Sequence, residues 1–113
     1  MHGIIFHRED DSMLFYEKKR QTLIVRLENE LDHRAANEMR GELDELLRDP
    51  SVRRLVLDLQ KLQFMDSSGI GLIIGRYKLM QKKGGSMAVI NADARMDRIF
   101  QMAGLYQIVE RMA

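Results

Sequence analysis

Two stretches with an apolar residue at every second position, separated by a stretch with apolar residues three and four positions apart, restrict this chain to a small set of folds. In Val52 to Leu59, Leu55, Leu57 and Leu59 point one way while Arg54, Val56 and Asp58 point the other, which is the period of a strand. Thr22 to Glu28 repeats the pattern, with Leu23, Val25 and Leu27 alternating with Ile24 and Arg26. Between them, from about Arg34 to Arg48, Ala36, Met39, Leu43 and Leu46 or Leu47 recur at helical spacing among good helix formers. Asp32 is placed to cap that helix. Asp49-Pro50 ends it, because the residue before a proline avoids the helical region.

The remainder extends the same alternation of elements. Met13 to Glu17 reads as a first strand, joined to the next by the polar turn Lys18-Lys19-Arg20. Ser68 to Lys82 reads as a second helix carrying Ile70, Ile73, Ile74, Tyr77 and Met80, closed by Gly84-Gly85, with Gly75 expected to let it pack closely on a neighbour. Met87 to Ile90 is a further strand, and Ala94 to Ala103 a third helix with Met96, Ile99, Phe100 and Ala103 on one side. Gly104 sits where a helix C-terminal glycine belongs, followed by the apolar Leu105. Tyr106 to Val109 reads as a last short strand or helical turn.

The order is therefore β-β-α-β-α-β-α plus a tail. Successive strand–helix–strand units imply parallel neighbours with right-handed crossovers, and a sheet that grows in one direction puts both crossover helices on one face. The strands' second face carries Arg26, Arg54 and Asp58 among its apolar residues, whereas a sheet covered on both sides wants more uniformly apolar strands. The expected fold class is α/β: a single layer, with a mixed sheet of roughly four to five strands and helices mainly on one face. Residues 1–12, ending in the acidic Glu9-Asp10-Asp11, read as a leader, and residues 13–113 as the domain.

Length and composition narrow the function. A chain of 113 residues suits one domain with its own core. It has no cysteine, which excludes disulfides, thiolate metal sites and a cysteine nucleophile. The histidines, His2, His7 and His33, are scattered, so no metal site is expected. A net charge of +1 from 18 basic and 17 acidic residues offers no large single-sign field for nucleic acid or anionic lipid. The pairs Arg53-Arg54 and Lys82-Lys83 read as solvated surface. Neither a signal peptide nor an apolar run near the roughly 20 residues of a membrane span is visible, so the expected location is the cytoplasm.

The segment Phe64-Met65-Asp66-Ser67-Ser68-Gly69-Ile70-Gly71 joins the clearest strand to the most apolar helix, where parallel α/β sheets place their sites. Asp66, Ser67 and Ser68 are N-cap residue types, and Gly69 and Gly71 permit close backbone approach. The plainest reading is a capped helix start. A serine nucleophile elbow fits poorly, since Met65 stands where the first glycine of GxSxG belongs and no histidine follows His33. A nucleotide site fits poorly as well, because Gly69, Gly71 and Gly75 give GxGxxxG and no GK[ST] exists. A phosphorylatable switch is the third possibility, since a helix N-terminus exposes a serine hydroxyl and accommodates a phosphate. The residue types alone leave the capped helix start and the switch both open.

Leu55 to Tyr77, reading LVLDLQKLQFMDSSGIGLIIGRY, resembles the anti-sigma factor antagonists of the STAS-domain superfamily, and among them the sporulation branch, the stage II sporulation protein AA group. Glu30-Leu31-Asp32-His33 resembles that branch's GELDH signature, with Asn29 in place of its glycine. Asparagine tolerates positive φ better than most residues, so the turn can survive there. Gly84-Gly85, Met87 to Ile90 and Arg98 to Leu105 resemble the branch's C-terminal half. The resemblance covers about residues 13–109 and implies a non-enzymatic binding protein without a cofactor of its own. Such a protein frees a sigma factor by binding a dimeric anti-sigma factor of GHKL type. That partner is also a serine kinase, and it inactivates the antagonist by phosphorylating the first serine of DSSG, here Ser67; a PP2C-type phosphatase reverses the modification. The resemblance places Asp32, His33, Asp66, Ser67, Ser68, Gly69 and Ile70 on the docking face and implies a chain that is monomeric when free. The alternative is a STAS binding module of a stress-response partner-switching complex or a nucleotide sensor.

Overall fold

The computed structural model describes residues 14–112; the expected leader and the first residue of the expected first strand lie outside them. Five strands and three α-helices follow in the order β1 (Phe15–Lys19), β2 (Thr22–Leu31), α1 (His33–Leu47), β3 (Arg54–Met65), α2 (Ser67–Lys82), β4 (Ser86–Ile90), α3 (Ala94–Met102) and β5 (Glu110–Arg111), with a 3-10 turn at Leu105–Gln107 before β5. The sheet runs β1-β2-β3-β4-β5. Only β1 is antiparallel to its neighbour; β2, β3, β4 and β5 pair in parallel. The expected mixed single sheet is present, and its strands add in chain order, as crossovers running in one direction require.

All three helices press on one face of this sheet. Leu23, Val25 and Leu27 of β2, Leu55, Leu57 and Leu59 of β3, and Met87 and Val89 of β4 form one buried cluster with Leu43 and Leu47 of α1, Leu72, Ile73 and Met80 of α2, and Met96 and Phe100 of α3. Each such large apolar side chain contributes roughly 1.5–3 kcal/mol when fully buried. The second face is less polar than its alternation implied. Val56 and Ala88 are buried there, and Asp58, expected among the outward polar residues, is only 2% exposed. Its Oδ1 accepts hydrogen bonds from Gln60 N and Asn91 Nδ2, both at 3.0 Å, which offsets the cost of burying a carboxylate.

The strands differ most from expectation in length. β3 does not stop at Leu59 but continues to Met65, and β2 continues to Leu31. Simple alternation misses this because the pairing slips twice: Arg26 and Glu28 face Asp58 and Lys61, then Asn29 and Glu30 face Leu62 and Phe64. Each slip adds one residue to β3, a β-bulge that resets which residues face inward. Leu59, Leu62 and Met65, three apart, are therefore all buried. Asn29 takes φ +60° at the second slip, the left-handed region that an asparagine enters at low cost.

The C-terminal end is held by a polar clasp. Tyr106 donates its hydroxyl hydrogen to Asp97 Oδ1, and Arg111 donates to both oxygens of Asp97 at 2.8 and 3.0 Å. The bonds from Arg111, then that from Tyr106, hold the Asp97 carboxyl below its ordinary range. Burial first, then the bond to Asp97, pushes the Tyr106 phenol up from 10.0 to about 12. A raised value means that the folded state holds the phenol proton more tightly, so this stabilisation is complete below pH 10 and fades as the pH climbs toward 12. In an ultraviolet titration, one of the three tyrosines should ionise near pH 12, and Tyr106→Phe should remove that step. Joint ionisation of all three at the ordinary value would contradict the clasp.

Candidate functional site

β2 and β3 end together, with Leu31 facing Met65, and each runs into an aspartate and then a helix. The Asp32 side chain accepts from Ala35 N at 2.9 Å. Asp66 Oδ1 accepts from Ser68 N at 2.8 Å and Gly69 N at 3.2 Å, and the Asp66 amide donates to Leu31 O at 3.4 Å. Two capped helix starts therefore stand side by side at the carboxyl edge of the sheet, each with partial positive charge from its unpaired amides. Asp66→Ala should cost about 0.5–2 kcal/mol through loss of the cap; a urea midpoint equal to that of the unaltered chain would show that the Asp66 bonds contribute nothing.

Ser67 is the first residue of α2 and is exposed, whereas Ser68 is half-buried. Their surroundings differ further. Ser68 Oγ lies 3.2 Å from His33 Nδ1 at the start of α1, and His33 Nε2 lies 3.1 Å from Asn37 Nδ2. Arg40 Nη1 donates to Asn37 Oδ1 at 3.0 Å. The Ser67 hydroxyl has no such partner among the described residues.

The structure thus brings Asp32, His33, Asp66, Ser67 and Ser68 together at one end of the molecule. Gly69 is buried, and its part is to let the chains approach. A Cβ there would stand 2.5 Å from both Leu31 O and Met65 Cγ. Ile70 is half-buried and packs on the core. Gly75 and Gly71 do not behave as their positions suggested. A Cβ on either would meet nothing within 4 Å, so the close approach expected of Gly75 belongs to Gly69. The reason is helical phase: Arg76, the next residue, is the one turned inward, 3.1 Å from Asp44 of α1.

Two further residues near this end, Asn37 and Arg40, carry no motif in the sequence. Asn37 and Arg40 follow His33 by four and seven positions, the spacing of one helix face, and that spacing was the available signal. Phe64 is 46% exposed beside the loop; only the bulges decide that Met65, and not Phe64, turns inward. An open polar groove lined by Glu28, Asn29, Gln60, Lys61, Leu62, Gln63, Asp93 and Arg95 lies among the strand ends and does not include Ser67. Among the described residues no group of histidine and acidic side chains is placed to hold a metal ion, and no helix is long and apolar enough to cross a membrane.

Known proteins resemble this chain in sequence and fold. The STAS domain family matches residues 15–113. The chain is 46% identical over 93 residues to the anti-sigma F factor antagonist of Paenibacillus polymyxa, an alignment covering 82% of this chain and 80% of that protein. It is 31% identical over 86 residues to the anti-sigma-B factor antagonist of Bacillus subtilis (strain 168), covering 76% and 77% respectively. The structure of the Bacillus cell fate determinant SpoIIAA in its phosphorylated form matches with a TM-score of 0.70 and 30% identity, over 88% of this chain and 91% of that one.

Proposed function

For a chain that belongs to the STAS domain family, with anti-sigma factor antagonists as its relatives, we propose a partner-switching role in which Ser67 is the switch. Unmodified, the chain binds a dimeric anti-sigma factor of GHKL type and so releases a sigma factor. The same anti-sigma factor acts as a kinase. Ser67 Oγ forms a bond to the γ-phosphorus of ATP, the bond from that phosphorus to the bridging oxygen breaks, ADP leaves, and the hydroxyl proton passes to a base on the kinase or to solvent. ATP and Mg²⁺ belong to the kinase, and this chain is substrate and ligand. A PP2C-type phosphatase restores the hydroxyl. The chain acts as a cytoplasmic monomer when free.

One observation supports this reading: the exposed Ser67 hydroxyl at the N-terminus of α2, unpartnered among the described residues, at a helix start whose geometry is fixed by Asp66 and Gly69. The proposed docking face consists of Asp32, His33, Asp66, Ser67, Ser68 and the outward part of Ile70, with Gly69 shaping the backbone beneath. The match to an anti-sigma F factor antagonist at 46% identity favours a sporulation partner. The 31% match to an anti-sigma-B factor antagonist keeps a stress-response partner as the second reading. Incubation with the anti-sigma F factor of P. polymyxa, ATP and Mg²⁺, followed by mass spectrometry, should place a single phosphate on Ser67. A chain that neither binds that protein nor accepts phosphate from it would contradict the sporulation reading, and binding to an anti-sigma-B factor instead would establish the second.

A further inference from the structure

Two adjacent serines at one helix start present the kinase with a choice, and the hydrogen-bond relay on α1 bears on it. Arg40 Nη1 donates to Asn37 Oδ1 at 3.0 Å, which settles the orientation of the Asn37 amide. Its Nδ2 then faces His33 Nε2 at 3.1 Å. An amide nitrogen can only donate, so Nε2 is the accepting ring nitrogen and the ring proton sits on Nδ1. Nδ1–H in turn points at Ser68 Oγ, 3.2 Å away, and Ser68 Oγ is the acceptor.

The direction of that last bond decides its chemistry. With the opposite tautomer, His33 would accept the Ser68 proton and activate the hydroxyl as a nucleophile. In the tautomer fixed by Asn37 and Arg40, His33 occupies a lone pair of Ser68 Oγ and holds it against α1. A serine oxygen attacks through a lone pair directed at phosphorus; Ser68 Oγ keeps a second one, but the bond from His33 restrains where it points and draws electron density from the oxygen, which lowers its nucleophilicity. Ser67, one residue earlier and exposed, keeps its freedom.

We infer that His33 is a positioning residue that withholds Ser68 from phosphorylation and leaves Ser67 as the single acceptor. The inference rests on the switch reading above and adds to it the reason for the choice of serine. Arg40, Asn37 and His33 are all exposed on α1, so the relay contributes little to the core, and its side chains can be exchanged without unfolding the domain.

The test compares phosphate distribution by mass spectrometry after incubation with the P. polymyxa anti-sigma F factor, ATP and Mg²⁺. In the unaltered chain phosphate is expected on Ser67 only. In His33→Ala, at least about a tenth of the phosphate should move to Ser68, and Ser67→Ala/His33→Ala should still accept phosphate where Ser67→Ala alone does not. His33→Asn, whose amide nitrogen falls near the position of Nδ1 and can donate to Ser68, should restore the original distribution. Nitrogen-15 NMR of the free chain should find the His33 proton on Nδ1, and Asn37→Leu should weaken that preference. Phosphate confined to Ser67 in both His33→Ala and the unaltered chain, or a ring proton on Nε2, would overturn the inference and leave the switch intact. A complete lack of phosphate on the unaltered chain would overturn the switch reading itself, and the inference with it.

Discussion

Phosphorylation of Ser67 is expected to weaken binding to the anti-sigma factor several-hundred-fold while leaving the domain folded. The modification adds about −1.5 to −2 charges at neutral pH. Within the free chain the unpaired amides at the start of α2 favour that charge by about 0.3–2 kcal/mol, although the Asp66 carboxylate, already bonded to Ser68 N and Gly69 N, opposes it. The melting temperature should therefore move little. The penalty arises on binding, when the charge must shed water against a surface that accommodated a hydroxyl; about 3–4 kcal/mol corresponds to the stated loss. Ser67→Ala should accept no phosphate and still bind, because a methyl group is small and uncharged. Ser67→Asp should bind with intermediate affinity, having one charge and a shorter reach. Ser68→Ala should still be phosphorylated at Ser67. Calorimetric titration of the four forms checks the series, and undiminished binding by the phosphorylated chain would end the proposal.

Gly69→Ala should be the most damaging small substitution at this end of the molecule. The added methyl would lie 2.5 Å from Leu31 O and Met65 Cγ and 2.9 Å from Leu31 Cγ. The side chains can shift, but Leu31 O is backbone at the end of β2, where it also accepts from the Asp66 amide. α2 would have to lift from the strand ends. Overpacking of this kind costs about 1–3 kcal/mol, or about 4–8 °C in melting temperature per kcal/mol for a domain near this size. Gly75→Ala is the informative contrast. Nothing lies within 4 Å of its Cβ position, and alanine is about 1 kcal/mol better than glycine in a helix interior, so this change should raise the melting temperature. The opposite ranking of the two variants would show that α2 sits differently on the sheet.

Much of this was legible in the residues themselves. The alternation in Leu23 to Leu27 and Leu55 to Leu59, and the helical spacing from Ala36 to Leu47, follow from local geometry. They yielded the order of elements, the parallel pairing and the face that carries the helices. The caps were equally local: Asp32 and Asp66 each bond amides within three positions of themselves, and Gly104 takes φ +73° just past Ala103, the residue that closes α3. A signal that spans a few neighbours in the chain survives without knowledge of the fold.

The tertiary structure alone decided the features that join distant segments. The second half of β3 departs from the strand period of two, because its inward residues are set by where β2 slips against it. That register selects Met65 for the core and leaves Phe64 in solvent. The same holds for the glycines. Gly69 and Gly75 look alike along the chain, but only one of them faces the end of β2, so packing distinguishes what composition cannot. The two serines differ for a related reason. Ser67 and Ser68 are the same residue type at the same helix start, and what separates them is a histidine 35 positions from Ser68, brought alongside by the pairing of Leu31 with Met65 and held by Asn37 and Arg40. Local residue types placed a serine-bearing helix start at the end of β3; the meeting of two helix ends separated the hydroxyl bonded to His33 from the exposed one.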